Sequence, residues 1–312
     1  MGRTDGSLLS QHMLPIYVGL IAVAAIWGAN FAVSRWAMDS FSPVQFSIIR
    51  FGGAVPIFFF VLLWREGNVG IAWRDAGKLV LIGFFGVAVL EIAVMYSIKY
   101  TSLANASLLN VAPWPIFAAL FAPLFTKERI TARLLTGGGM AMVGVCLIIL
   151  GGEERFDFSP TRMVGNLLAF GVSICGALFN LACMPLMKRY SALRVSTWYC
   201  LFGSLFIFPL TLGTWGKVSW TSLDSAVWGA IIYNIVVCTV IAFIVWNHCM
   251  LKAGAAKSNF FRYVVPVAAV FVGYLFFHET IQVGQMLGGL LIAAGLVWIV
   301  LENKSANHKI PS

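Results

Sequence analysis

Charged residues are scarce in this chain. They make up 11% of its 312 residues, whereas hydrophobic residues make up 60%. A soluble domain carries about 25% charged residues, so this chain cannot cover a folded surface that faces water. The shortage excludes an ordinary soluble enzyme or binding module and indicates a protein that lies in a bilayer.

Motifs of catalysis and metal binding are absent as well. The sequence contains no H-E-x-x-H, no G-x-S-x-G and no G-x-x-x-x-G-K-[ST] loop, and its six cysteines form no C-x-x-C pair. We therefore expect a protein that is not an enzyme, with no cofactor, no metal site and no disulfide. The cysteines fall in apolar runs, where small buried thiols are usual.

The sequence is rich in long apolar runs, and ten of them could cross a bilayer as helices. Strands of a transmembrane barrel would instead alternate in segments of about ten residues, and no such alternation is present. The predicted fold class is an all-α polytopic membrane protein with ten transmembrane helices. The expected spans are 14–34, 43–64, 78–98, 103–125, 134–151, 163–187, 195–214, 225–248, 258–277 and 284–301.

The second half of the chain repeats the first. FTKERITARLLTGGGMAMVG at 125–144 aligns with FFHETIQVGQMLGGLLIAAG at 276–295 after a shift of 151 residues, which places Glu128 on Glu279. Glycines of the two stretches also coincide, and we interpret them as packing residues because small residues let helices approach closely. The chain therefore predicts an internal duplication.

The two copies should face opposite sides of the membrane, because five crossings separate them. We predict two inverted five-helix repeats, residues 1–155 and 156–312, that form one membrane bundle. Inverted repeats are the usual geometric basis of alternating access in transporters. A duplication that merely enlarges the bundle is the alternative.

Lysine and arginine are distributed unevenly over the loops. With the N-terminus inside, fourteen of the 21 lie in cytoplasmic segments, five in outside loops and two within spans. Positive residues resist translocation, so both termini are expected to be cytoplasmic. The net charge of +9 follows from this orientation and does not indicate a nucleic-acid partner.

The pattern that runs from Pro266 through Glu279 to Gly288, its copy from Pro115, and LANASLLNVAPWP at 103–115 resemble EamA-type members of the drug/metabolite transporter (DMT) superfamily. Among members, the chain most resembles the bacterial aromatic amino acid exporters. The resemblance implies ten helices, a central substrate cavity and export of small metabolites across the bacterial inner membrane. The paired lysine and arginine that sugar-phosphate translocators of this superfamily use are missing from the last spans.

We therefore predict a secondary transporter that moves small metabolites by alternating access, with amino acid export, of aromatic ones above all, as the favoured activity. An exporter of another metabolite class or of drugs, a passive channel and an intramembrane enzyme stay open, although no ring of charge or filter loop supports a channel. The expected partners are a small-molecule substrate and the lipid bilayer. The oligomeric state is left open.

Ionisable residues inside a membrane are costly and are therefore functional candidates. Arg50 and Glu91 should both lie about 10 Å below the outer surface, with Asn110 at the same level. They form either a structural ion pair or a functional pair in which Glu91 binds a proton or Arg50 a substrate carboxylate. Arg262 is expected near the inner end of the ninth span, where its side chain could extend to the membrane surface.

Neutral polar residues recur in the spans and should point into the bundle, because an amide that faces lipid leaves its donors unpaired. There they either bridge helices or line a wet cavity. The cavity candidates, together with Asn110, are Asn30, Tyr96, Asn105, Asn180, Tyr199, Asn234 and Tyr263. Asn247 and Asn259 share the pattern.

APWPI at 112–116 should interrupt the fourth span. Pro113 and Pro115 lack a backbone N–H, so the helix should bend and free carbonyl groups, which are tolerated only inside the bundle. Trp114 lies at this bend and either fills a packing gap or forms an aromatic wall of the substrate cavity. In the second case, amides such as Asn105 or Asn110 would meet the polar groups of the substrate.

Overall fold

The computed structural model describes residues 5–38, 40–101, 109–128, 130–151, 159–277 and 280–301. Regular secondary structure in these ranges is helical throughout, which confirms the all-α class. Nine of the described helices are long and apolar enough to cross a bilayer, and the segment Leu109–Phe125 is a shorter apolar helix. The protein is thus an integral membrane protein. Residues 102–108 of the expected fourth span lie outside the described residues.

The helices follow the expected order, and four of them are built of pieces with different helical geometry. They are α1 (Asp5–Met38), α2 (Pro43–Glu66), α3 (Trp73–Gly83, Phe84–Val89 and Leu90–Tyr100), α4 (Trp114–Phe125), α5 (Ala132–Leu150), α6 (Met163–Met187), α7 (Ala192–Ile207, then Phe208–Thr211), α8 (Ser225–Ile232, Tyr233–Ile241 and Ala242–Ala253), α9 (Ala255–Phe260, Phe261–Tyr263 and Val264–Phe277) and α10 (Val283–Val300).

Polar side chains at the loop ends fix where several helices begin. Ser42, Thr131, Ser191 and Asp224 each accept a hydrogen bond from the backbone N–H three residues further on, at the starts of α2, α5, α7 and α8. Such caps satisfy donors that a helix leaves free at its first turn. They place polar groups outside the apolar spans, as a membrane requires.

The third helix of each half contains a π-helical segment, Phe84–Val89 in α3 and Tyr233–Ile241 in α8. A shift of 151 residues maps the first segment onto 235–240, inside the second. π-Helical turns are rare and often mark functional sites. The backbone here is looser than an α-helix, and the Thr239 hydroxyl donates to the Asn234 carbonyl at 2.7 Å.

The first helix of each half packs against the fourth helix of the other half. A β-carbon added to Gly28 of α1 would lie 2.4 Å from the Val265 carbonyl oxygen on α9, and one added to Gly176 of α6 would lie 1.8 Å from the Trp114 ring on α4. Val265 in the second half corresponds to Trp114 in the first half under the shift of 151 residues. The halves therefore interlock through equivalent close contacts, and the polar residues described next lie between them.

Candidate functional site

Arg50 and Glu91 form a buried ion pair between α2 and α3. Their Nη1 and Oε1 atoms are 3.4 Å apart, and both side chains are about one-tenth exposed or less. The Arg50 Nε also donates to the Thr239 hydroxyl at 2.9 Å, and its Nη2 lies 3.5 Å from the Cys238 sulfur. The structure thus joins the two predicted charges and ties them to the π-helical segment of α8.

Arg262 lies deeper than the sequence indicated. Because α9 begins at Ala255 and not near residue 258, Arg262 is seven residues, or about 10 Å, inside the helix. Its guanidinium carbon is 3.7 Å from the Trp114 ring centroid and 5.0 Å from that of Trp27. Since Trp114 is only 4% exposed, the side chain turns into the bundle, and the expectation that it extends to the surface is wrong.

Trp114 is held in place on several sides. Its Nε1 donates to the Asn259 Oδ1 at 3.0 Å, and its ring fills the space above Gly176. The Asn180 Nδ2 donates to the same oxygen at 2.7 Å, so Asn180 and Asn259 bridge α6 and α9. The gap-filling role expected as one alternative for Trp114 is therefore present in this conformation, together with the contact to Arg262.

Pro113 and Pro115 interrupt the backbone hydrogen bonds at the start of α4. Buried hydroxyl groups of neighbouring helices lie within hydrogen-bond distance of carbonyl oxygens around this break. The Ser173 hydroxyl on α6 lies 2.8 Å from the Leu109 carbonyl oxygen and 2.6 Å from that of Asn110. Pro113 would have been the usual donor to Leu109. The Tyr263 hydroxyl donates to the Ala112 carbonyl at 2.7 Å. The break thus faces the bundle interior, where Tyr263 bridges α9 to it.

Of the other predicted polar residues, some form hydrogen bonds between helices, and some have a buried oxygen that accepts no hydrogen bond. Asn247 donates to the Tyr199 hydroxyl at 3.1 Å and so joins α8 to α7. The Oδ1 atoms of Asn110 and Asn234 are buried without a hydrogen-bond partner in the described part of the chain.

Three further candidates lie apart from these groups. Asn30 is half-buried and accepts from the Ser34 hydroxyl within α1. Tyr96 is 38% exposed and stacks on Tyr100, so it does not point fully into the bundle as expected. Asn105 lies outside the described residues.

One chain of contacts joins the two arginines. The Trp27 Nε1 donates to the Cys238 carbonyl at 3.2 Å, while the Cys238 sulfur contacts Arg50 and the Trp27 ring contacts Arg262. Sequence reasoning missed Trp27 and Cys238. The signal for Trp27 was a tryptophan in mid-span, away from the membrane surfaces where this residue usually lies.

A cavity of about 410 Å³ lies between α3 and α6, apart from these residues. Its lining is apolar and includes Leu90, Leu167 and Cys175, and Leu167 is 64% exposed. It is therefore a groove on the lipid-facing side and contains none of the predicted site residues. In the described ranges, no three His, Cys, Asp or Glu residues are grouped to hold a metal ion.

Comparisons with known proteins place the chain among transporters. The model of the EamA-like transporter family matches it twice, over residues 14–150 and 163–301. "Uncharacterized transporter YyaM" of Bacillus subtilis is 26% identical over 285 residues, covering 91% of this chain and 93% of that protein. "Probable terminal-alkyne amino-acid exporter" of Streptantibioticus cattleyicolor is 24% identical over 284 residues, covering 90% and 91%. A solved crystal structure, 17% identical and covering 94% of this chain and 98% of its own, superposes with a TM-score of 0.79 and shares the fold.

Proposed function

The chain belongs to the EamA-like transporter family, and from that premise we propose that it is a secondary transporter that works by alternating access. Relatives that match it over nearly their full length are named transporters, so the chain is a transporter and not an enzyme. Its partners are accordingly a small-molecule substrate and the lipid around it.

Alternating access is supported by the relation between the halves. The family matches each half separately, and a shift of 151 residues relates the π-helical segments and the close glycine contacts. The fifth helices run antiparallel, since Gly137 packs against Gly295 while Gly144 packs against Gly288. Two inverted halves that interlock through equivalent contacts can exchange their arrangements and so open the site to one side at a time.

We propose amino acids, and aromatic ones above all, as the substrates. The observation that carries this is the group of two indole rings, an arginine and an amide at the interface of the halves: Trp27 on α1, Trp114 on α4, and Arg262 and Asn259 on α9. Binding sites for small molecules combine apolar or aromatic walls with a few placed polar groups. The relative named an amino-acid exporter points to the same class.

The loop charges support an orientation with both termini in the cytoplasm of a bacterial cell, in its inner membrane. The relative named an exporter supports transport outward, in which substrates bind from the cytoplasm and leave outside. Drugs or other metabolites are the alternative substrates, because the relatives named uncharacterized transporters do not narrow the class.

Counterflow tests this function. Purified protein in liposomes loaded with unlabelled phenylalanine should accumulate labelled phenylalanine transiently above its outside concentration. A channel would give equilibration without an overshoot, and an enzyme would alter the label. Repeating the assay with other amino acids, sugars and nucleosides compares substrate classes; an overshoot with sugars or nucleosides and none with amino acids contradicts the proposed substrate.

A further inference from the structure

Arg262 and Arg50 differ in the groups that surround their guanidinium. Arg50 has a carboxylate, a hydroxyl and a sulfur within contact distance. For Arg262, the part of the chain that the structure describes supplies two indole rings, no hydrogen bond and no ion pair, and its Nε is buried without an acceptor. A guanidinium carries five N–H donors and stays protonated, and no carboxylate in the described ranges offsets its charge inside the bundle.

The rings hold the guanidinium in a fixed place without using its hydrogen-bond donors. Each indole N–H is itself anchored: that of Trp114 donates to Asn259 and that of Trp27 to the Cys238 carbonyl. Arg262 is nevertheless half-buried, so part of its side chain stays accessible. The result is a preoriented cation that donates no hydrogen bond within the described part of the chain, the arrangement that favours binding of a planar anion.

The position of Arg262 ties such an anion to both halves of the bundle. Trp27 and Trp114 come from helices of the first half, and Arg262 comes from the second. Arg50 does not supply a second cation for the anion, because its guanidinium already pairs with the Glu91 carboxylate and donates to the Thr239 hydroxyl. One available arginine suits a singly charged anion better than the dianion of a phosphate ester.

We infer that Arg262 binds the carboxylate of the transported molecule, held between the indoles of Trp27 and Trp114. This inference rests on the proposed transport function and specifies its substrate class as small carboxylates, amino acids included. Trp114 then acts mainly as a positioning residue for the arginine, because the guanidinium lies over its ring.

Three probes with one carbon skeleton test the inference: phenylalanine, 3-phenylpropionate, which lacks the amine, and phenethylamine, which lacks the carboxylate. Their affinities for purified protein are measured from the ligand concentration that gives half of the maximal thermal stabilisation. The two carboxylates should bind at least about tenfold more tightly than phenethylamine, as expected for hydrogen bonds to a charged group. Arg262→Gln should remove that difference.

Arg133→Gln is the matched control. Arg133 also lies over a tryptophan, with its guanidinium carbon 4.7 Å from the Trp298 ring centroid, but that ring is 44% exposed. It should leave all three affinities unchanged. If Arg262→Gln does not fold, Arg262→Lys replaces it: a loss of affinity for the two carboxylates that spares phenethylamine supports the inference, and an equal change for all three probes overturns it.

The outcomes separate this inference from the proposed function. Suppose that the wild-type protein exchanges phenylalanine in counterflow but binds phenethylamine and 3-phenylpropionate with equal affinity. That result contradicts the role of Arg262 and leaves the proposed function standing. An Arg262→Gln variant with an unchanged preference for carboxylates does the same. A wild-type protein that binds none of the probes and exchanges no amino acid contradicts the proposed substrate class, and the inference falls with it.

Discussion

Gly144 and Gly288 meet backbone to backbone: a β-carbon added to either would lie 2.5 Å from the carbonyl oxygen of the other. A shift of 151 residues turns Gly144 into Gly295 and Gly137 into Gly288, and Gly137 and Gly295 make the same kind of contact. The α5–α10 pair is therefore antiparallel and nearly symmetric. These four glycines are packing residues, as the sequence indicated, whereas a β-carbon at Gly289 would meet no atom within 4 Å.

This contact predicts opposite effects for two similar substitutions in α5. Gly144→Ala should destabilise the protein by about 1–3 kcal/mol, because its β-carbon meets backbone that cannot move aside cheaply. Gly139→Ala is the control: no atom lies within 4 Å of its β-carbon, and alanine favours a helix more than glycine does. Thermal unfolding in detergent measures both. Equal unfolding temperatures would show that the glycine contact does not matter.

The proposed orientation predicts which loops reach the outside. In a background without the six native cysteines, a cysteine in the loop at 152–160, for example in place of Ser159, should react with an impermeant thiol reagent in intact cells. Lys127→Cys, between α4 and α5, should react only after the cells are opened. The basis is the excess of positive residues in the segments assigned to the cytoplasm. Equal labelling of both positions in intact cells would rule out this topology.

The Arg50–Glu91 pair predicts that two substitutions are milder than one. Arg50→Leu or Glu91→Leu alone should cost about 3–5 kcal/mol, because each leaves a buried charge without its partner. The double variant should recover part of that loss, and thermal unfolding with the four proteins of the cycle measures it. A double variant no more stable than the worse single one removes the support for the pairing. A different result would indicate proton coupling through Glu91: an imposed pH gradient changes the transport rate of the wild type but not that of Glu91→Gln.

The sequence predicted the helices better than the contacts between them. Apolar length alone located α6, which spans Met163–Met187 as expected, but α9 begins three residues before the expected position, and that difference moved Arg262 into the interior. The π-helical segment Tyr233–Ile241 has no composition that separates it from an α-helix. The contact of Trp27 with Arg262 depends on how α1 and α9 cross, which no local pattern specifies.

Glu128 predicts a local effect at the start of α9. Its carboxylate accepts from the backbone N–H groups of Ala255 and Ala256 at 2.7 and 2.9 Å, and Gly254 before them has φ 93°. Glu128→Gln keeps an acceptor but loses the favourable charge at a helix N-terminus, and Glu128→Ala loses both. Hydrogen exchange in peptides that cover 253–260 should therefore quicken in that order. Unchanged exchange in Glu128→Ala would show that the contact does not hold this turn.

Trp114 predicts a loss of transport that depends on its ring. Trp114→Ala removes the ring beneath the Arg262 guanidinium and the donor to Asn259, so transport of phenylalanine and tryptophan should fall several-fold. Trp114→Phe keeps an aromatic face and should retain much of the activity, because Asn180 still donates to Asn259.

Trp298→Ala is the matched control for Trp114→Ala. An arginine also lies over the Trp298 ring, and its Nε1 donates to the Thr136 hydroxyl, but Trp298 is 44% exposed. Counterflow at equal amounts of inserted protein compares the three variants. Should Trp114→Ala transport aromatic amino acids as wild type does, Trp114 has no part in the site, and a fall of the same size in Trp298→Ala would assign the loss to general packing.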